Sequence, residues 1–178
     1  MPIIHTSIDL RHYGASQYDP NKFGTIRDRK WGTKPHGGLW TSPVDSTYGW
    51  GKWCKDNEFK ARSLTCWFDV RFTGTVLVID GEEDLNLLPW PNKSTNNALL
   101  KFSFDIGSPS FASLVLSEID AIHLTVEGEQ ETRYTMPRNL YGWDCESVLV
   151  MNPASIAPIQ YYKDYKKAHH EHTQKHMA

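Results

Sequence analysis

Residues 141–153, YGWDCESVLVMNP, constrain this chain more than any other stretch. Val148-Leu149-Val150-Met151 is a short apolar run rich in β-branched residues, which reads as a buried strand. Asp144 and Glu146 stand at its entry, one residue apart. Residues i and i+2 of a strand point to the same face, so both carboxylates are expected to project into one place. A core strand does not need two acids at its mouth, whereas a site does. Two negative charges held that close resist joint ionisation, which raises one pKa. Paired acids suit carbohydrate-like chemistry, in which a carboxylate steadies an oxocarbenium-like centre.

The 178 residues are enough for one domain with a real core. We read residues 1–160 as that domain and 161–178 as a polar, His-rich tail or helix. A formal net charge of −2 gives no broad pull toward nucleic acid or membrane. Cys54, Cys66 and Cys145 form no CxxC pair, which fits free thiols in a reducing compartment. No apolar run approaches the ~20 residues that span a bilayer, and the amino-terminal residues lack a signal-peptide pattern. A cytoplasmic protein is the expectation. The seven tryptophans and eight tyrosines are unusual, and many cluster within 31–67.

The remaining pattern predicts short strands with few, short helices, an α+β architecture. Strands are expected at 2–8, 37–41, 64–72, 75–79 and 121–126. Residues 11–36 read mainly as loop, from Gly14, Pro20, Gly24, Gly32 and Pro35. Ser42-Pro43-Val44-Asp45 resembles a helix start, with the helix running to about Glu58. Further helices are expected at 82–88 and 110–119. Residues 89–97 read as loop, and 127–143 as a polar, aromatic-bearing segment.

Three separated pieces then acquire a shared meaning: His5-Thr6-Ser7 on an early strand, Gly38-Leu39-Trp40-Thr41-Ser42 followed by Tyr48 and Trp50, and Glu146 opening ESVLVMNPASI. This order resembles the ADP-ribosyltransferase family in its His–aromatic–Glu branch, the NAD-binding fold shared by poly(ADP-ribose) polymerases and diphtheria-toxin-like enzymes. The resemblance spans His5 to about Ile156. It implies a split β-sandwich of short mixed strands with a few peripheral short helices. It also implies NAD as substrate and transfer of ADP-ribose to a protein or nucleic-acid acceptor. By resemblance, His5 would bond the ribose next to adenine, and Thr6 would stand where many relatives carry the Gly that contacts the nicotinamide amide. Trp40 would stack on nicotinamide where relatives carry Tyr, with Tyr48 or Trp50 on the second face. Gly38, Thr41 and Ser42 would complete the dinucleotide site. Glu146 would take the catalytic place, and Asp144 the position from which some relatives select the acceptor. Arg133, Tyr134, Arg138, Tyr141 and Trp143 would belong to the acceptor loop.

The residue types make chemical sense without the family. Cleaving the nicotinamide–ribose bond builds positive charge at the ribose carbon, and a fixed carboxylate there favours the transition state over the ground state. Nicotinamide is a flat cation before cleavage, and indole and phenol faces hold such a ring by stacking and cation–π attraction. Gly37 and Gly38 would allow backbone to approach a ligand closely. A bacterial toxin, a phage effector and a house enzyme all fit these features. Two other readings remain open: a domain that binds NAD or ADP-ribose without turnover, and an aromatic-rich glycan-binding module. His169, His170, His172 and His176 read as a frayed end rather than a metal site, and no paired-Cys zinc spacing or phosphate loop is present.

Overall fold

The computed structural model describes residues 2–29, 32–90 and 109–159. The tail at 161–178, with its histidines, and most of the loop expected at 89–97 lie outside them. Among the described residues, seven strands are formed: β1 (Ile3–Tyr13), β2 (Gly24–Arg27), β3 (His36–Pro43), β4 (Trp67–Ile79), β5 (Ala121–Leu124), β6 (Ser147–Val150) and β7 (Ile156–Pro158). Three short helices accompany them: α1 (Trp50–Asp56), α2 (Phe111–Val115) and α3 (Val126–Thr132).

The molecule is mixed α+β, mostly strands. The strands do not form the expected split sandwich. They run in the order β1-β3-β6-β5-β4, and β4 pairs back to β1, which closes a five-stranded barrel. Only β4–β5 is parallel among these pairs. β2 extends the sheet beyond β3, and β7 adds to β4.

Closure depends on the length of β1 and β4, which the sequence pattern understated. β1 pairs with β4 from Ile3 opposite Leu77 to Tyr13 opposite Trp67. The outer part of this ribbon is polar, and two reciprocal ion pairs hold it. Arg11 faces Asp69 in register and bonds it through Nε and Nη2 at 2.7 Å each. Asp9 faces Arg71 and takes bonds of 2.8 and 2.9 Å. Opposite charges directly across a strand pair contribute about 0.2–1 kcal/mol each. The expected strands at 64–72 and 75–79 are therefore one continuous strand that starts at Trp67, after a 3-10 turn at Ala61–Thr65, and β1 runs five residues past its expected end at 8.

Side-chain alternation divides the core. Leu10, Leu39, Val70, Phe72, Val76, Ala121, Val148 and Val150, drawn from every barrel strand, fill the interior. Leu77, Ile79, Ile122, Leu124 and Leu149 point outward from β4, β5 and β6 and are covered by Phe111, Leu114, Leu140 and Trp143. The predicted helix at 43–58 shrinks to α1, because Ser42-Pro43 ends β3 and the chain crosses the barrel end before Gly49 opens the helix. The helices expected at 82–88 and 110–119 reduce to a 3-10 turn at Glu82–Leu87 and to α2. Within 127–143, α3 is helical; it is capped by Thr125, whose side chain accepts from Gly128 N at 3.0 Å.

Candidate functional site

β3 carries the most informative residues, and alternation sends them to two sides. Trp40 pairs with Leu149 of β6 and packs on the outer cluster, its ring edge-on to Trp143 at 4.6 Å between centroids. Thr41 and Ser42 stitch β3 to β6: Thr41 Oγ1 donates to Val148 O and Ser42 Oγ to Glu146 O, each at 2.8 Å. Ser42 Oγ also accepts from Trp50 N at 2.9 Å, so the same hydroxyl fixes the start of α1.

At this end of the barrel lies a cavity of about 410 Å³. Tyr13, Trp40 and Trp50 supply its aromatic walls, and Arg11, Arg29, Lys34 and Lys60 its charges. No carboxylate occurs among its described lining residues. The Lys34 ammonium lies 5.3 Å from the centroid of the Trp40 ring and 5.9 Å from that of Trp50, within cation–π range of both. Trp50 is itself backed by Trp53, stacked at 5.2 Å. His12 also lines the cavity, and its Nδ1–H donates to Trp40 O at 2.8 Å.

The two acids at 144 and 146 part company, contrary to the expectation that they share a face. Residues 144 and 145 precede β6, so strand alternation does not govern them. Asp144 takes Lys34 Nζ at 3.4 Å on one oxygen and Arg133 Nη2 at 3.1 Å on the other. Glu146 lies against His123 of β5 on the barrel-interior side, with Oε1 2.8 Å from Nε2. Its side chain is only 12% exposed. Burial disfavours its charge, but hydrogen bonds from His123 and Ser46 and the charge of His123 outweigh that and leave its pKa below the ordinary value. Glu146 N bonds Tyr48 O at 3.1 Å, so the 48–50 segment passes directly beside this residue. Its carboxylate nonetheless faces away from Trp40.

The remaining predicted residues scatter. His5 and Thr6 pair with Thr75 and Gly74 of β4. His5 is exposed and seven residues along β1 from His12, about 23 Å at ~3.3 Å per residue. The histidine brought to Trp40 is His12, and its sequence signal was His12-Tyr13-Gly14, where Gly14 at φ +103° turns the chain off the strand. Gly38 serves packing rather than ligand approach: a Cβ there would meet Leu149 Cδ1 and Val150 O at 2.7 Å, and φ is +66°. Trp50 lines the cavity, whereas the Tyr48 ring lies under Lys52 Nζ at 5.5 Å.

In the expected acceptor loop, Trp143 is fully buried and donates from Nε1 to Thr33 O at 2.9 Å, which makes it core rather than recognition surface. Arg138 turns away to Asn86 Oδ1 at 3.1 Å and the Trp90 ring. Arg133 is held by Glu129 at 2.5 Å and flanked by Tyr134 and Tyr141, each ring 5.7 Å from its guanidinium carbon. Those two tyrosines are the exposed aromatics of the segment. Cys145 is buried, and burial pushes its thiol up to about 11, far from a reactive thiolate. Among the described residues, no group of three or more His, Cys, Asp or Glu is placed to hold a metal, and no helix is long and apolar enough to cross a membrane. The chain matches no protein-family model, no curated protein and no solved structure.

Proposed function

We propose that this protein is a NAD-dependent ADP-ribosyltransferase that seats the dinucleotide in the Trp40–Trp50 cavity. The observation that carries the reading is the cavity wall itself. It presents two indoles beside a cation position, with Arg and Lys side chains around them and no carboxylate in the described lining. That combination suits a ligand with a flat cationic ring at one end and phosphates at the other. The sequence order of His5, Trp40 and Glu146 carries the resemblance already given, and of these three Trp40 is the one in the cavity lining. The reaction breaks the bond between nicotinamide nitrogen and the ribose carbon, and nicotinamide leaves with the bonding pair. A nucleophile on a protein or nucleic acid then bonds that carbon and gives up its proton to water. Glu146, ionised and oriented by His123, would stabilise the cationic ribose. The cytoplasm, where NAD is abundant, fits this activity.

One observation favours a second reading, a domain that binds NAD or ADP-ribose without turnover. The Glu146 carboxylate faces His123 on the barrel-interior side, while Trp40 lies on the other. Nicotinamide release from labelled NAD separates the readings, measured beside NAD binding for wild type, Trp40→Ala, Glu146→Gln and Asp144→Asn. Release that Trp40→Ala and Glu146→Gln both abolish supports the transferase. Release lost in Asp144→Asn and kept in Glu146→Gln moves the acid to position 144. Tight binding without release supports the second reading, and absence of NAD binding overturns both.

A further inference from the structure

We infer that Lys34 and Asp144 form a charge gate on the Trp40–Trp50 cavity: the Lys34 ammonium holds the cation position between the indoles, a cationic ring must displace it, and Asp144 favours whichever cation is there. This rests on the dinucleotide reading above and adds a selectivity to it.

The geometry is specific. Lys34 Nζ is within about 6 Å of both indole centroids, the usual reach of a cation–π contact. It is 3.4 Å from Asp144 Oδ2. Asp144 is fixed from behind by Arg133, which Glu129 and the flanking tyrosine rings hold in turn. The backbone that carries Lys34 is pinned as well. Trp143 Nε1 donates to Thr33 O, and Thr33 Oγ1 donates to Tyr141 O. The Lys34 side chain is 34% exposed, so the ammonium has a route to solvent while its backbone stays put. An ion pair this exposed is weak, which makes the lysine displaceable. A neutral ring gains nothing from the indole–Asp144 cation site, but it carries no charge for the lysine to repel and leaves the ammonium its contact with Asp144. Lys34 therefore penalises the oxidised, cationic nicotinamide more than the reduced, neutral one, and Asp144 works in the opposite sense.

The test measures binding of NAD, NADH and ADP-ribose by calorimetry to wild type, Lys34→Met, Lys34→Gln and Asp144→Asn. Both Lys34 variants are expected to raise the NAD-to-NADH affinity ratio by roughly fivefold, the worth of one exposed cation–π contact. ADP-ribose, which lacks the ring, should bind them as it binds wild type. Asp144→Asn should lower the ratio. An unchanged ratio in the Lys34 variants overturns the gate. So does an equal loss of all three ligands, which would make Lys34 a phosphate clamp. If wild type binds none of the three, the dinucleotide reading fails, and the gate is read from the ring alone. Saturable quenching of indole fluorescence by the N-methylnicotinamide cation should then be stronger in Lys34→Met than in wild type, with neutral nicotinamide indifferent. No such difference overturns the gate independently.

Discussion

Asp144 and Glu146 are separated by a single residue, yet they live under different physics. Asp144 shares its charge between two long cations on the cavity side, and its side chain is 22% exposed. Glu146 has one short-range histidine partner against the barrel interior and is 12% exposed. The first arrangement is a soft network whose members exchange with solvent. The second is a directional pair that loses a great deal if either member goes. The comparison extends to their surroundings. The interior side is closed by strands in register, whereas on the cavity side Thr33 is tied to the 141–143 turn by its own hydroxyl and by one buried tryptophan, Trp143.

That tryptophan is where the comparison is easiest to break. Trp143→Ala removes a fully buried ring packed against Trp40 and Phe111 and frees Thr33 O from its donor. A loss of about 3–5 kcal/mol is expected, measured by urea unfolding. Local damage should fall on the cavity side, so the variant should also lose the environment of Trp40 in near-ultraviolet circular dichroism. Retained wild-type stability would mean that the outer cluster does not depend on this ring.

The interior pair comes next in size. His123→Ala leaves the largely buried Glu146 carboxylate without its main partner. We expect a cost of about 2–3 kcal/mol, somewhat less than for a fully buried pair because both side chains keep some exposure. Replacing both, with His123→Leu and Glu146→Leu, should recover most of it, since the neighbours on that face are Val148 and Val150. A double-mutant cycle reads the coupling, and a value near zero would contradict the pair.

How far the sequence disclosed this division follows from particular residues. β6 was legible because four apolar residues stand between acids and Asn152-Pro153. β1 beyond residue 8 was not, because its stability comes from Asp9 and Arg11 meeting Arg71 and Asp69 across the ribbon. That matching i, i+2 pattern of opposite charges, with partners 58 and 62 positions apart, is legible only once the strands are paired. Trp143 looked like surface because Tyr141, Gly142 and Asp144 flank it, and only the covering of the outer sheet face explains its burial. The aromatic members of the site, Trp40 and Trp50, could be chosen from their types. Lys34 could not, and His12 and His123 were marked only faintly, since their roles arise from register and from a loop pinned far away in sequence. His123 inside Ala-Ile-His-Leu was a local hint of a polar partner within the barrel, as Gly14 after His12-Tyr13 was of a strand end.

Acid titration gives a smaller and more graded comparison. Glu146 has a folded pKa below its unfolded value, which lies near about 4.3. A depressed carboxylate contributes stability that is present in full above the unfolded pKa and lost as pH falls through the folded one. Wild type should therefore lose this contribution below about pH 4, in the window beneath the ordinary glutamate value. Glu146→Gln should show a flatter stability curve there, followed by thermal melting against pH. Parallel curves for the two proteins would show that the His123 contact does not bias the carboxylate.

The smallest effect belongs to the cavity-side acid. Asp144→Asn keeps the shape and one hydrogen-bonding oxygen and removes only the charge shared by Lys34 and Arg133. Arg133 retains Glu129 at 2.5 Å, and Lys34 retains the two indoles. Exposed pairs of this kind contribute about 0–1 kcal/mol, and salt screens them. The change in unfolding free energy should stay under about 1 kcal/mol and shrink as sodium chloride rises to about 1 M. His123→Ala should keep most of its larger loss at the same salt, because its partner is shielded from ions. If both variants respond alike to salt, the distinction between a solvent-exchanging network and an enclosed pair fails, and the two acids would have to be treated as one electrostatic site.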